Sequence, residues 1–232
     1  RVVHDLHDAL NWRVRALAIE ELQQIVRGGV DLGAVRVRLK DFMAFMLVLL
    51  KDPNFKIEIT ALQIIGDVVR MVGGDVAPFR GSVMPHLVEK LGDNKTLVRQ
   101  ANGKVIVKLM QALGPKTVCE ELLGSLGIDS WRVREEILSL CMHALLSHGE
   151  SALDVPAMVR AMCSCLEDAK PKVKYTAIEA LAVVHSLVGA RIHTLLPPGL
   201  DERTLRMLEV RFGQPQLPFI TPEGVLELPC LP

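Results

Sequence analysis

The feature that most constrains this chain is that it repeats itself. Five segments align: Asn11-Trp12-Arg13-Val14-Arg15, Asn54-Phe55-Lys56-Ile57-Glu58, Lys95-Thr96-Leu97-Val98-Arg99, Ser130-Trp131-Arg132-Val133-Arg134 and Lys170-Pro171-Lys172-Val173-Lys174. Their β-branched residues stand at 14, 57, 98, 133 and 173, at intervals of 43, 41, 35 and 40. Four positions on come Ala18, Ala61, Asn102, Ile137 and Ala177; eight on come Leu22, Ile65, Ile106, Cys141 and Leu181. Spacings of four and eight return to one side of an α-helix, so each segment opens a helix with a stripe turned to a core. An acidic residue precedes each segment, at Asp8, Asp52, Asp93, Asp129 and Asp168. A period near forty residues means units that cannot bury their apolar face alone and must stack.

Each unit reads as two helices. The first is apolar and ends just before the acidic residue, as in Leu39–Leu50, Val83–Leu91, Thr117–Leu126 and Val155–Leu166. A tight polar turn comes next. The second helix opens on an N-cap candidate (Asn11, Asn54, Ser130, and Asn94 or Thr96 in the third unit). Gly28-Gly29, Gly73-Gly74, Gly114-Pro115, Gly149 and Gly189 then stop it, because glycine takes a left-handed cap at little steric cost. Residues 191–211 read as a degenerate sixth unit broken by Pro197-Pro198, and the proline-rich stretch from Gln214 as an extended surface segment. Only nine residues are aromatic (Phe 6, Trp 2, Tyr 1), too few for an ordinary sandwich or barrel. The expected fold is all-α, an α-solenoid of about six helix pairs over residues 1–212, with a Pro-rich extension over 213–232.

Several function classes fall away. Lys+Arg and Asp+Glu are 27 each, so no global positive field favours nucleic acid. The longest unbroken apolar run, from Phe42 to Leu50, is short of the roughly 17 residues a membrane span needs. The chain begins at Arg1 without an apolar leader and reads as a module cut from a larger multi-domain protein. Cys119, Cys141, Cys163, Cys165 and Cys230 are odd in number and lack paired C-x-x-C spacing, so buried free thiols in a reducing compartment are expected rather than zinc or disulfides. His4 and His7 share a helix face with no third ligand, so no metal is expected, and no cofactor. No phosphate loop, nucleophile elbow or H-E-x-x-H helix occurs, and the chain reads as a non-enzyme.

The period resembles HEAT repeats, whose Asp-x4-Val-Arg/Lys pattern is matched by Asp93…Val98-Arg99 and Asp168…Val173-Lys174; Pro85 also sits where that family bends its first helix. Within HEAT arrays the turns are similar to those of TOG domains. Asn11-Trp12-Arg13-Val14-Arg15 resembles the signature turn, Asp52-Pro53-Asn54-Phe55-Lys56-Ile57 the second, Gly92 to Ala101 the third, and Lys170, Lys172 and Lys174 the basic fifth. The stretch Arg211…Leu217-Pro218…Glu223-Gly224 resembles the crescerin type, arrays of ciliary microtubules. The resemblance implies binding of the αβ-tubulin heterodimer through the turns, with turns one to three on β-tubulin and turns four and five on α-tubulin. It also implies a role in microtubule polymerisation or length control, in the cytoplasmic cytoskeleton or the cilium. Two features depart from the family: Trp131 in the fourth turn, and Glu58 where a basic residue is usual.

The residues point the same way without the family. Trp12, Phe55 and Trp131 occupy one column, two before the β-branched residue, and aromatic and Arg residues dominate interface hot spots. Packing of each ring against its own helix is the alternative. The five turns carry +2, −1, +1, +1 and +2 on a chain that is neutral as a whole, which favours an acidic partner. Lys56, Lys95, Arg132, Lys170 and Lys172 should project outward. Arg15, Arg99 and Arg134 divide between contacts and a ladder to the acid of the neighbouring turn, while Asn54 divides between cap and contact. The expected site comprises Trp12, Arg13, Arg15, Asn54, Phe55, Lys56, Lys95, Arg99, Trp131, Arg132, Arg134, Lys170, Lys172 and Lys174, on a monomeric module. The competing reading is a HEAT scaffold that docks an acidic protein or peptide on its concave face, through second-helix side chains rather than turns.

Overall fold

In the computed structural model, which describes residues 2–6 and 11–229, the repeats are helix pairs. Asp8, His7 and Cys230 lie outside the described residues. The chain forms two compact units, residues 1–113 and 114–232. In the first unit, α1 (Val2–Leu6) precedes α2 (Trp12–Arg27), α3 (Leu32–Leu49) precedes α4 (Phe55–Val72), and α5 (Arg80–Leu91) precedes α6 (Thr96–Leu113). In the second, α7 (Pro115–Gly124) precedes α8 (Trp131–His148) and α9 (Val155–Ser164) precedes α10 (Pro171–Val188); α11 (Ile192–Leu195) and α12 (Glu202–Phe212) come last. The second helices pack side by side, α2 on α4 and α4 on α6 in one unit, α8 on α10 and α10 on α12 in the other.

The repeat register explains the core. Ile57, Val98, Val133 and Val173 are at most 2% exposed, and so are Ala61, Asn102, Ile137 and Ala177 four residues on. Asn102 is the polar member of that column, and its Nδ2 donates to the Leu87 carbonyl oxygen at 2.7 Å, tying α6 to α5. The helices stop where expected: Gly29, Gly73, Gly114, Gly149 and Gly189 all have positive φ, a region that would strain any side chain. Cys119, Cys141, Cys163 and Cys165 are buried and unpaired, and burial pushes the Cys163 thiol up to about 11.

By length and composition, residues from Pro171 to Leu195 are apolar enough to cross a membrane. Here they are a core element: α10 packs on α8, α9 and α12, and Glu179 in its middle pairs with Arg211. That pair is fully buried, Arg211 donating from Nε and Nη2 to the two carboxylate oxygens at 2.7 and 2.6 Å.

The C-terminal segment differs from the extended surface segment expected of it. β1 (Phe219–Ile220) pairs antiparallel with β2 (Leu226–Glu227), so the stretch folds back on itself. The reason is local. Thr221-Pro222-Glu223-Gly224 closes a turn from the Gly224 N–H to the Thr221 carbonyl at 2.8 Å, and Gly224, at φ +77°, carries the chain into the returning strand. The hairpin is held to its unit at β1 on α8, by the Tyr175 hydroxyl donating to the Pro229 carbonyl, and by Arg211 donating to that of Gln216.

Candidate functional site

The second, third and fifth turns are built the same way from short polar residues. The Asp52 carboxylate accepts the Asn54 N–H, Asp93 that of Lys95, and Asp168 that of Lys170, all at 2.7–2.8 Å. This side-chain turn bends the chain within two residues and sets the next side chains at the exposed start of the second helix. Asn11 and Asn54 cap α2 and α4 by accepting the N–H of Arg13 and Lys56. Asn54 is thereby used as a cap. Ser130 makes no such side-chain cap.

The arginines that come after the β-branched residue are bonded within the chain. Arg15 reaches the acid of the next turn, donating from Nε and Nη2 to Asp52 at 2.8 and 3.2 Å. Arg134 does the same to Asp168 at 2.6 and 3.2 Å. Arg134 also donates to the carbonyls of Ile128 and Asp129, six and five residues back. Arg99 folds back identically onto the carbonyls of Asp93 and Asn94, with Thr96 Oγ1 as a further acceptor. Of the two roles expected of Arg15, Arg99 and Arg134, the structure displays the supporting one: a guanidinium bonded to a carboxylate or to carbonyls of its own turn holds the repeats and turns in shape. Arg134's hydrogen bonds hold the Asp168 carboxyl below its ordinary value, against burial.

In the second turn the ladder runs with reversed charge. Glu58 is buried and pairs with Lys90 of α5. A basic residue is absent from this column because its partner, three residues before Asp93, supplies the cation instead. Sequence reading missed Lys90; the acid at 58 was its one available signal.

A second set of cations is left over. Arg13, Lys56, Lys95, Lys170, Lys172 and Lys174 are exposed, Arg132 is half-buried, and none forms an ion pair with another described residue. Several stand over aromatic rings of the same turns. Arg13 lies 5.6 Å from the Trp12 ring centre, Lys95 5.4 Å from Phe55, and Arg132 and Lys172 at 4.8 and 5.6 Å from Trp131. Such contacts hold a cation beside an apolar surface without neutralising it. Trp12 is 46% exposed, while Phe55 and Trp131 are half-buried. Turns one to three thus present Trp12, Arg13, Phe55, Lys56 and Lys95 from the first unit, and turns four and five present Trp131, Arg132, Lys170, Lys172 and Lys174 from the second. No cluster of three or more His, Cys, Asp or Glu that could hold a metal occurs among the described residues.

With this geometry in hand, comparison with known proteins gives consistent relatives. Residues 5–209 match the family model described as CLASP N terminal. The TOG array regulator of axonemal microtubules protein 1 of Mus musculus is 30% identical over 234 residues, covering 97% of this chain and 13% of the mouse protein. CLIP-associating protein 1-A of Xenopus laevis is 28% identical over 166 residues, 70% of this chain and 11% of its own length. The chain thus spans about an eighth of these relatives. A solved crescerin structure, from work in which crescerin uses a TOG domain array to regulate microtubules in the primary cilium, superposes with a TM-score of 0.87 at 30% identity, covering 99% of this chain and 95% of that one. The MAST/Orbit N-terminal domain shares the fold, at TM-score 0.79 and 23% identity over 91% of this chain and 94% of its own.

Proposed function

The chain belongs to the CLASP N-terminal family of TOG domains, and on that footing we propose that it binds the αβ-tubulin heterodimer through its intra-repeat turns. The observation that carries this reading is the division of the basic turn residues into two classes. Arg15 and Arg134 are consumed by Asp52 and Asp168. Arg13, Lys95, Arg132 and Lys172 instead stay charged over aromatic rings, ready for an acidic protein surface. Turns one to three belong to one compact unit and turns four and five to the other, the same grouping in which the TOG resemblance assigns turns to β- and α-tubulin.

The module contributes to microtubule polymerisation or length control within a longer chain of the cytoplasmic cytoskeleton, where linked copies raise the local tubulin concentration. The crescerin likeness favours the cilium as its place of action. Trp12 is the anchor of the surface, since aromatic residues in such positions carry about 2 kcal/mol or more.

Size-exclusion co-migration with purified tubulin tests this. Trp12→Glu, which removes the ring and adds a charge opposed to an acidic partner, is expected to abolish co-migration. Lys170→Glu with Lys172→Glu is expected to weaken it, with the difference from wild type shrinking as salt rises. Circular dichroism and melting should match wild type in both variants. A folded Trp12→Glu protein that binds tubulin as wild type does refutes the turn surface.

A further inference from the structure

Between the second helices α4 and α6 of the first unit lies a groove of about 380 Å³ that includes none of the exposed cations or rings of the turns. Its rim is Ile59 and Gln63 on one side and Leu97 and Lys104 on the other, with Leu62 and Val105 buried beneath. Leu97 is 60% exposed, an apolar side chain with nothing over it. One end is closed by charge. The Asp67 carboxylate accepts from Arg27 Nε at 3.0 Å and from Lys108 Nζ at 3.1 Å. Gly66 makes room for that lysine: a Cβ there would stand 3.0 Å from Lys108 Nζ and 3.1 Å from its Cδ. Three cations thus line the groove against one carboxylate, and Lys104 forms no ion pair with a described residue.

The same register positions in the second unit show what such a face holds. Ile59 and Gln63 lie two and six residues after Ile57, and Lys104 six after Val98; Tyr175 and Glu179 lie two and six after Val173. There Tyr175 donates to the Pro229 carbonyl at 2.8 Å, and Glu179 fixes Arg211, which donates to the Gln216 carbonyl at 2.8 Å. At these second-helix positions Tyr175 is therefore met by backbone of the chain's own C-terminal segment, and Glu179 by the Arg211 side chain of α12, which in turn holds that segment at Gln216. Residues 213–229 contain Glu223 and Glu227 and no Lys or Arg, among Leu, Val, Ile and Phe. In the first unit no C-terminal segment lies at the corresponding positions: Ile59 is half-buried, Gln63 accepts from Gln23 Nε2 of the neighbouring helix at 2.8 Å, and Lys104 stands exposed beside the Arg27–Asp67–Lys108 cluster.

We infer that the groove between α4 and α6 docks an extended acidic peptide of a partner protein, with an aliphatic anchor beside its carboxylates. The anchor covers Leu97 and Ile59, and the carboxylates meet Lys104 and the cationic end at Arg27 and Lys108. A partner is favoured over a second copy because this chain's own C-terminal segment is tied into its unit through the buried Arg211–Glu179 pair.

The probe is a displayed library of random short peptides selected on the full chain. The strongest binder is then resynthesised with a fluorophore and titrated by anisotropy. Selected peptides should be net negative and contain aliphatic residues. Lys104→Glu, alone or with Leu97→Asp, should weaken binding at least about tenfold without changing the melting temperature. Lys170→Glu with Lys172→Glu, which tests the turn surface, should leave it unchanged. A selection without acidic binders, or a selected peptide that binds wild type and the Lys104→Glu variant alike, overturns the assignment.

Discussion

Replacing Arg134 by alanine removes four hydrogen bonds at once. Two go to Asp168 at 2.6 and 3.2 Å, and two to the Ile128 and Asp129 carbonyls at 2.7 and 3.1 Å. The two side chains are 18% and 8% exposed, so the pair sits between the buried and surface regimes. Hydrogen bonds to a charged group contribute about 1.5–3 kcal/mol each when protected, and breaking a buried pair costs about 3–5 kcal/mol. Partial exposure places Arg134→Ala near 3 kcal/mol. Asp168→Ala loses the same pair and the turn bond to Lys170 N–H, again about 3 kcal/mol. Because both variants lose the shared pair, the double variant should cost less than their sum, by a coupling of about 2 kcal/mol. Denaturant unfolding of the four proteins measures the cycle. In a chain of this size each kcal/mol lowers the melting midpoint by roughly 2–4 °C, so the single variants should melt about 6–12 °C lower. Tubulin co-migration, measured well below that midpoint, should survive. A coupling under about 0.5 kcal/mol, or loss of tubulin binding in a fully folded Arg134→Ala protein, would refute the ladder role assigned to this arginine.

The packing and the charges give two further expected outcomes. Ala177 is fully buried on the stripe of α10, so Ala177→Leu should overpack the seam by roughly 1–3 kcal/mol in urea unfolding; a neutral result would mean the repeat register is misplaced. At Asp67 burial pushes the carboxyl up, but the hydrogen bonds from Arg27 and Lys108 outweigh it. At Asp168 the bonds from Arg134 lead, so both groups titrate below their ordinary value of 3.8. The unfolded chain then takes up protons first as the pH falls through the unfolded value, so stability from these pairs is present above it and is lost as the pH drops toward the folded values. Between about pH 5 and 3 the wild-type urea midpoint should fall more steeply than that of an Asp67→Asn, Asp168→Asn double variant, and parallel curves would remove the pairs from the account.

What could be seen in the sequence was what depends on period and on local backbone chemistry. Val98, Asn102 and Ile106 share a helix face by spacing alone, and all three are buried to 0%. Asn11 and Asn54 cap their helices because an asparagine side chain reaches N–H groups two residues on, whatever surrounds it. The turn at Pro222-Glu223-Gly224 was equally local, yet it was hidden by the number of prolines around it, which suggest an extended chain until the single positive-φ glycine is given its due. The basic residues were harder for a different reason. Lys172 and Lys174 flank Val173, and nothing in their immediate sequence distinguishes them from Arg132 and Arg134, which flank Val133. Arg134 is drawn inward because the fold places Asp168, thirty-four residues later, within reach of its guanidinium. Lys172 instead lies over Trp131, forty-one residues earlier. The deciding partner in both cases comes from the neighbouring repeat, so whether a cation supports the fold or is left for a ligand is fixed by how consecutive units stack. That dependence also fixes the experiment that matters most: the ladder arginines and the ring-stacked cations share one charge and one edge of their repeats, and only measuring stability and tubulin binding on the same variants separates what each does.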